Sequence, residues 1–428
     1  MIGRRSVAGI LAFTLGLFWV LAGAAPLRAA RGELKFSGYL KNFTIGYRPA
    51  EPVQAAGASP QPLLGQSNTR LRLSLSYSPN DSVSYLVAYD ISPRIQDPLF
   101  FRTSPFTAPI PAGTYRLVDF RNPIYPGEND PVGSFGLYQN LDRLNVTLRT
   151  GAGDLIIGRQ PVAWGSGKVT NPTDVIAPFS FYELDKEERV GVDAVRFRLS
   201  LSALSEIDAG YVFGEHFRFD RSAFFLRSRV NVLKTDLGFL IEGFQEDLLL
   251  GLDVARSVGG SGVWLEAAYV FPDALNRLSP KPSHYGRLTA GIDRSLTSKL
   301  YGFLEYHFNG AGSAHPATYA ELFTQPAYTH GTVYLMGRNY LSLGATYQAG
   351  PLIPVTGLVI WNATDGSFAL SPQAEYNISQ NIYLGAGAYL GLGRAPLTPL
   401  LGTTLPPVLR SEFGSYPDFA YVSFRVYF

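Results

Sequence analysis

The sequence predicts an all-β fold, a transmembrane antiparallel up-and-down β-barrel of 18 strands, with 16 as the alternative count. Three observations carry this. From residue 31 onward, apolar and polar side chains alternate in segments of about 8 to 14 residues, the period of a strand with two unlike faces. The connections between those segments alternate short and long, as in a barrel with tight turns at one rim and loops at the other. The only long apolar run sits at the N-terminus. Composition agrees: 16% of residues are charged against about 25% in ordinary soluble chains, while 44 Gly, 25 Tyr and 28 Phe are abundant. With no cysteine, disulfides, thiolate metal sites, attached haem and cysteine nucleophiles are excluded.

Taken in order, the first element is a leader. Arg4 and Arg5 precede an uncharged stretch from Ser6 to Leu27, followed by Arg28 and small residues, the order of a signal peptide over 1–30 with cleavage after Ala24 or Ala29. An uncleaved anchor is the rival reading, because the run is long enough to span a bilayer. Without Arg4, Arg5 and Arg28 the chain has 33 basic and 34 acidic residues, which gives no electrostatic case for nucleic acid.

Residues 31–428 then read as a single barrel domain. Strands at 34–47 and 67–78 flank a long connection, and the second alternates plainly in Thr69-Arg70-Leu71-Arg72-Leu73-Ser74-Leu75. After a tight turn at Pro79-Asn80 comes 81–92, then a long connection at 93–137. Strands 138–149 and 153–161 are joined at Gly151-Ala152-Gly153, and a long loop leads to 190–201, where Arg196 and Arg198 alternate with Val195, Phe197 and Leu199. Strands at 204–214, 222–233, 235–244, 247–257 and 260–271 follow with short joints at Lys234-Thr235 and Val258-Gly259. The set closes with 285–296, 298–308, 339–348, 352–361, 366–377, 380–391 and 417–428, with long loops at 272–284, 309–338 and 392–416. Connections at 215–221, Gln245-Glu246 and 362–365 are short for the long-loop side.

The last strand sets the phase of the wall. Ala420, Val422, Phe424, Val426 and Phe428 share one face and Tyr421, Ser423, Arg425 and Tyr427 the other; the apolar set must meet lipid, since arginine at the bilayer midplane costs about 2–4 kcal/mol. Aromatic residues gather near the expected interfaces, with Phe213, Tyr269, Phe271, Tyr306 and Phe308 at one rim and Tyr77, Tyr85, Tyr347 and Tyr376 at the other.

The terminal Tyr421-Val422-Ser423-Phe424-Arg425-Val426-Tyr427-Phe428 resembles the C-terminal strand signal of Gram-negative outer-membrane β-barrels. The likeness covers the architecture of residues 31–428 and names a class, general or substrate-specific porins, rather than one family. It implies export through the periplasm, residence in the outer membrane, contact with lipid and passage of small hydrophilic solutes.

The same phase turns Arg70, Arg72, Arg143, Arg196, Arg198, Arg227 and Arg229 toward the lumen, as a basic ladder that would favour anionic solutes. Asp208, Asp253, Glu266, Asp293, Glu305 and Glu375 are inward acids that would neutralise it. The loop over 159–189, with Trp164, Gly165 and Gly167 near its start, holds the ordinal place of the loop that narrows general porins. By that resemblance Asp174, Glu183, Asp185, Glu187 and Glu188 would face the arginines across a constriction; an ordered loop outside the channel is the alternative.

The expected function is therefore a channel with mild anion preference. From another class, the alternative is a sheath for a partner such as a periplasmic multihaem cytochrome. A homotrimer is the other assembly left open. No nucleophile stands out, the five histidines lack metal-ligand spacing, and Gly165-Ser166-Gly167-Lys168 lacks the spacing and helix of a nucleotide loop, so neither enzyme nor cofactor is expected.

Overall fold

The computed structural model describes residues 28–29, 32–50, 63–101, 115–117, 123–127, 130, 132–178, 181–276, 283–397 and 408–428. Leader residues 1–27, with the cleavage position after Ala24, lie outside the described residues, as does Phe179. Among the described residues no helix is long and apolar enough to cross a membrane.

Eighteen strands close into one antiparallel barrel. Strands β1 (Gly32–Arg48), β2 (Leu64–Asn80), β3 (Val83–Gln96) and β4 (Phe135–Thr150) have 14 to 17 residues each. Next come β5 (Gly153–Gln160), β6 (Val192–Ser202), β7 (Ser205–Val212), β8 (Ala223–Val232) and β9 (Thr235–Phe244). They are followed by β10 (Asp247–Val258), β11 (Ser261–Phe271), β12 (Tyr285–Ser295) and β13 (Leu300–Asn309). The circuit ends with β14 (Asn339–Gly350), β15 (Ile353–Asn362), β16 (Ser367–Ser379), β17 (Ile382–Leu392) and β18 (Asp418–Tyr427). A two-residue stretch, Arg28–Ala29, pairs with the start of β1. The alternation in sequence sets the count, because each segment presents one face that only lipid can accept and one that only an interior can.

Outward apolar side chains are exposed nearly all the way round the wall, including Val87, Leu144, Leu226, Phe239, Leu250, Ile292, Leu343 and Val422. Closure removes the free strand edges, which could not be hydrated in hydrocarbon. The seam is β18 on β1, with Tyr421 opposite Ile45 and Arg425 opposite Lys41. Beyond the last ladder pair, Phe428 and Gly38 exchange backbone hydrogen bonds of 2.8 and 3.0 Å. Gly38 is required there: a Cβ would stand 2.3 Å from the Arg72 carbonyl and 2.8 Å from the Phe428 ring.

Tight turns alternate with long connections. Leu233 and Lys234 join β8 to β9 with φ of 52° and 62°, the left-handed pair that matches strand twist in a two-residue hairpin. Gln245 and Glu246 make a similar two-residue turn on the long-loop side, with φ of 44° and 73°.

The interior is not uniformly polar. Val162, Trp164, Val175, Ile176 and Phe181 join inward residues such as Val212, Phe225, Leu240 and Leu249 in one buried apolar cluster. Tyr319, Leu322, Tyr328, Met336 and Phe413, from the connections after β13 and β17, complete it.

Candidate functional site in the barrel interior

Segment 161–191 leaves β5 and returns at β6, and its partners place it. It bonds inward side chains of β1 and β2 on one side, β10 to β13 on another and β18 at the seam, so it crosses the space enclosed by the sheet. Its two parts are held differently.

Residues 162–177 are held by apolar packing and by their own backbone. The Trp164 ring packs tilted against Phe225, centroids 4.8 Å apart, and its indole N–H donates to the Thr173 carbonyl at 2.8 Å. The carboxylates of Glu266 and Glu305 accept backbone N–H groups of this stretch. Asp174 is buried, paired with Arg189 of the same segment at 2.8 Å, and burial pushes its carboxyl up to about 6 against the pull of Arg189 and Arg287.

Residues 183–189 are held by charge. Asp185 accepts from Lys41 Nζ at 2.9 Å and from Arg70 Nη1 at 3.2 Å. Glu187 accepts from Lys41 Nζ, Arg425 Nη1 and the Tyr427 hydroxyl at 2.7 to 2.8 Å. Although burial works the other way, Lys41, Tyr427 and Arg425 hold the Glu187 carboxyl below its usual range. Glu188 lies 2.5 Å from Arg72, and burial raises its carboxyl. Glu183 has no ion-pair partner among the described residues; burial pushes it up to about 7, while Lys186 and Arg189 pull it down.

The seven arginines fall into two groups. Arg70, Arg72 and Arg143 face the acidic stretch but also meet acids of the wall: Arg70 bonds Asp90 at 2.7 Å, while Arg72 and Arg143 share Asp142 at 2.7 and 2.6 Å. Arg196, Arg198, Arg227 and Arg229 stand apart, on β6 and β8. Arg196 is bidentate on Asp208 at 2.8 and 2.5 Å, Arg198 bonds Glu206 at 2.8 Å, and Arg227 and Arg229 approach Glu206 at 3.7 and 3.4 Å. Every rung therefore has a carboxylate beside it. Of the five acids of the segment, Asp185 and Glu188 pair with members of the seven, Arg70 and Arg72, whereas Glu187 pairs with Lys41 and Arg425, Asp174 with Arg189, and Glu183 with none among the described residues.

Sequence reasoning missed Asp90, Asp142 and Glu206. Asp90 was readable, because the phase that turns Val87, Tyr89 and Ile91 outward turns it inward, opposite Arg72. Asp142 was not: a register shift sets Ala88 opposite Arg143 and Tyr89 opposite Leu141, leaving Asp142 as the extra residue, so neighbours Asp142 and Arg143 are both buried inside.

A cavity of about 530 Å³ remains between this segment and the wall. Lys168, Glu183, Asp185, Lys186 and Glu187 bound it on one side, and Phe43, Gln373, Glu375, Tyr421 and Arg425 on the other. Arg425 pairs with both Glu187 and Glu375, bridging the two sides. Among the described residues no group of three or more histidine or carboxylate side chains is arranged to hold a metal ion.

No protein-family model and no curated protein sequence matches the chain. Solved structures do resemble it. OccD3 (OpdP) of Pseudomonas aeruginosa is 10% identical with a TM-score of 0.51, over 95% of this chain and 96% of that one. OccK8 (OprE) of P. aeruginosa, 9% identical, and OccAB2 of Acinetobacter baumannii, 8% identical, each give a TM-score of 0.53 over 92% of this chain and 98% of theirs. At such identities the likeness is one of fold alone, and the chain shares the closed antiparallel β-barrel of these structures.

Proposed function

We propose that the protein is an outer-membrane channel for small hydrophilic solutes and that segment 161–191 is its constriction. The observation that carries this reading is the cavity left between the acidic stretch 183–187 and the wall, lined by groups of both charges and by aromatic rings. Barrels of this strand number enclose an aqueous path unless their own segments fill it, and here the segments leave a cavity of about 530 Å³ beside the wall. Acids on the segment facing Lys41, Arg70 and Arg425 on the wall set a field across the opening. The arginines would give anions a mild preference, kept small by the carboxylate beside each. A sheath around another protein is disfavoured, because the chain's own connections occupy the interior such a partner would need.

The test is conductance of the purified, folded protein in planar bilayers, with reversal potentials in a KCl gradient. Channel activity with an anion/cation ratio slightly above one is expected, falling in Arg196→Gln/Arg198→Gln/Arg227→Gln/Arg229→Gln. Absence of conductance from folded protein would sink the proposal.

A further inference from the structure

Glu266 and Glu305 sit on inward faces of β11 and β13, where a solvated wall residue would be exposed, yet their exposures are 0% and 1%. A buried carboxylate is tolerated only when its lone pairs are used, and here the donors come chiefly from one stretch of segment 161–191. Glu305 Oε2 accepts Lys168 N–H at 2.6 Å and the Trp264 indole N–H at 3.1 Å; Oε1 accepts Val169 and Thr170 N–H at 3.0 and 3.1 Å. Glu266 Oε2 accepts Ser166 and Gly167 N–H at 2.9 and 3.1 Å; Oε1 accepts the Thr173 N–H and hydroxyl at 2.8 and 2.7 Å. Five consecutive amides, 166 to 170, are thus turned outward onto two carboxylates.

The local sequence permits this. Gly165 has φ of +114°, and a Cβ on it would fall 2.6 Å from Asn171 Oδ1. A Cβ on Gly167 would fall 2.3 Å from the Thr170 carbonyl. Successive amides aimed at one point form an anion-binding concavity. In this chain the concavity is already filled, by the barrel's own wall.

We infer that Glu266 and Glu305 are positioning residues, two latches that fix the constriction through its backbone and so hold Lys168 at the edge of the cavity. This rests on reading segment 161–191 as the constriction. The latch bonds use main-chain donors, leaving the side chains of 168 and 169 to line the cavity. Lys168 then stands 3.3 Å from Asp293 and 5.4 Å from the Trp264 ring centre. Gln at either position keeps the shape but replaces one acceptor oxygen by a donor facing the same amides.

The test is amide hydrogen exchange, read by mass spectrometry on the full chain folded in detergent, together with single-channel recording of the same preparations. In the unsubstituted protein, amides 166–170 and 173 should be strongly protected. Glu266→Gln, Glu305→Gln and the double variant should exchange there about tenfold faster or more, with larger or flickering conductance. Glu375→Gln faces the same cavity but bonds none of these amides, and should leave their exchange unchanged. Gly167→Ala loosens the stretch from the other partner's side and should act as the Gln variants do. Rapid exchange at 166–173 in the unsubstituted protein, or unchanged exchange in folded Gln variants, overturns the latch whatever the conductance. Protection that depends on both glutamates in a protein that passes no current would support the latch and overturn the channel reading alone.

Discussion

The two sides of the interior solve one problem in opposite ways. Along β1 to β4 and the seam, buried charges meet in a continuous network: Lys41, fully buried, lies between Asp185 and Glu187 and 4.1 Å from the centre of the Tyr39 ring, and Arg72 is shared by Asp142 and Glu188. Across the barrel, Trp164, Ile176 and Phe181 pack against Phe225, Leu240 and Phe413, and the charges buried on that side, Asp174, Glu242 and Arg287 among them, are scattered rather than joined in one network. The apolar side gains from every buried contact and depends on no single one. A buried ion network returns little net stability, but removing one member strands the rest. One side is thus suited to holding a shape and the other to responding to salt, voltage and pH.

That contrast can be broken by experiment. Arg72→Met should have the largest effect, costing about 3–4 kcal/mol in denaturant unfolding, because Glu188 loses its cation and buried Asp142 keeps Arg143 but loses its Arg72 partner. A loss under about 1 kcal/mol would mean that the charged side is solvated and the contrast false. Ile176→Ala, on the apolar side, should cost about 3 kcal/mol by the same measurement and leave ion selectivity as it was. A changed reversal potential in this variant would show that the two sides are coupled.

The smallest effect sharpens the charged side alone. Glu183 has its carboxyl pushed up to about 7, so it ionises at the cavity as pH rises from 6 to 8. The added negative charge should raise cation permeability and lower anion permeability, each at most about fourfold for one charge some 5 Å away in a water-like medium, and Glu183→Gln should abolish the dependence. The stability sign follows: a carboxyl raised from 4.5 to about 7 favours the folded state fully below 4.5, and that contribution is lost as pH climbs through 7. Asp174, raised from 3.8 to about 6, behaves likewise one unit lower.

The wall was legible in the sequence because lipid imposes period two on every strand, and segments such as Leu71-Arg72-Leu73 admit no other reading. The interior was less so. Period two tells which residues point inward, not what they meet, and the apolar filling by Tyr319, Met336 and Phe413 comes from connections with no period at all. Glu266 and Glu305 looked like solvated counter-charges because their partners are backbone amides, which carry no side-chain signature. Gly165 and Gly167 were the visible trace of that contact, and only the fold says which carboxylates fill the turn.

The seam between β18 and β1 also fixes an order of events. It pairs Tyr421 with Ile45, residues about 380 apart in the chain, whereas every other ladder joins neighbours in sequence. Its contacts cannot form until the intervening strands are stacked and their ends brought round. Contacts of that kind are slow. The seam is the one ladder that depends on all the others, and until Phe428 reaches Gly38 the sheet carries two open borders that can pair with the wrong chain.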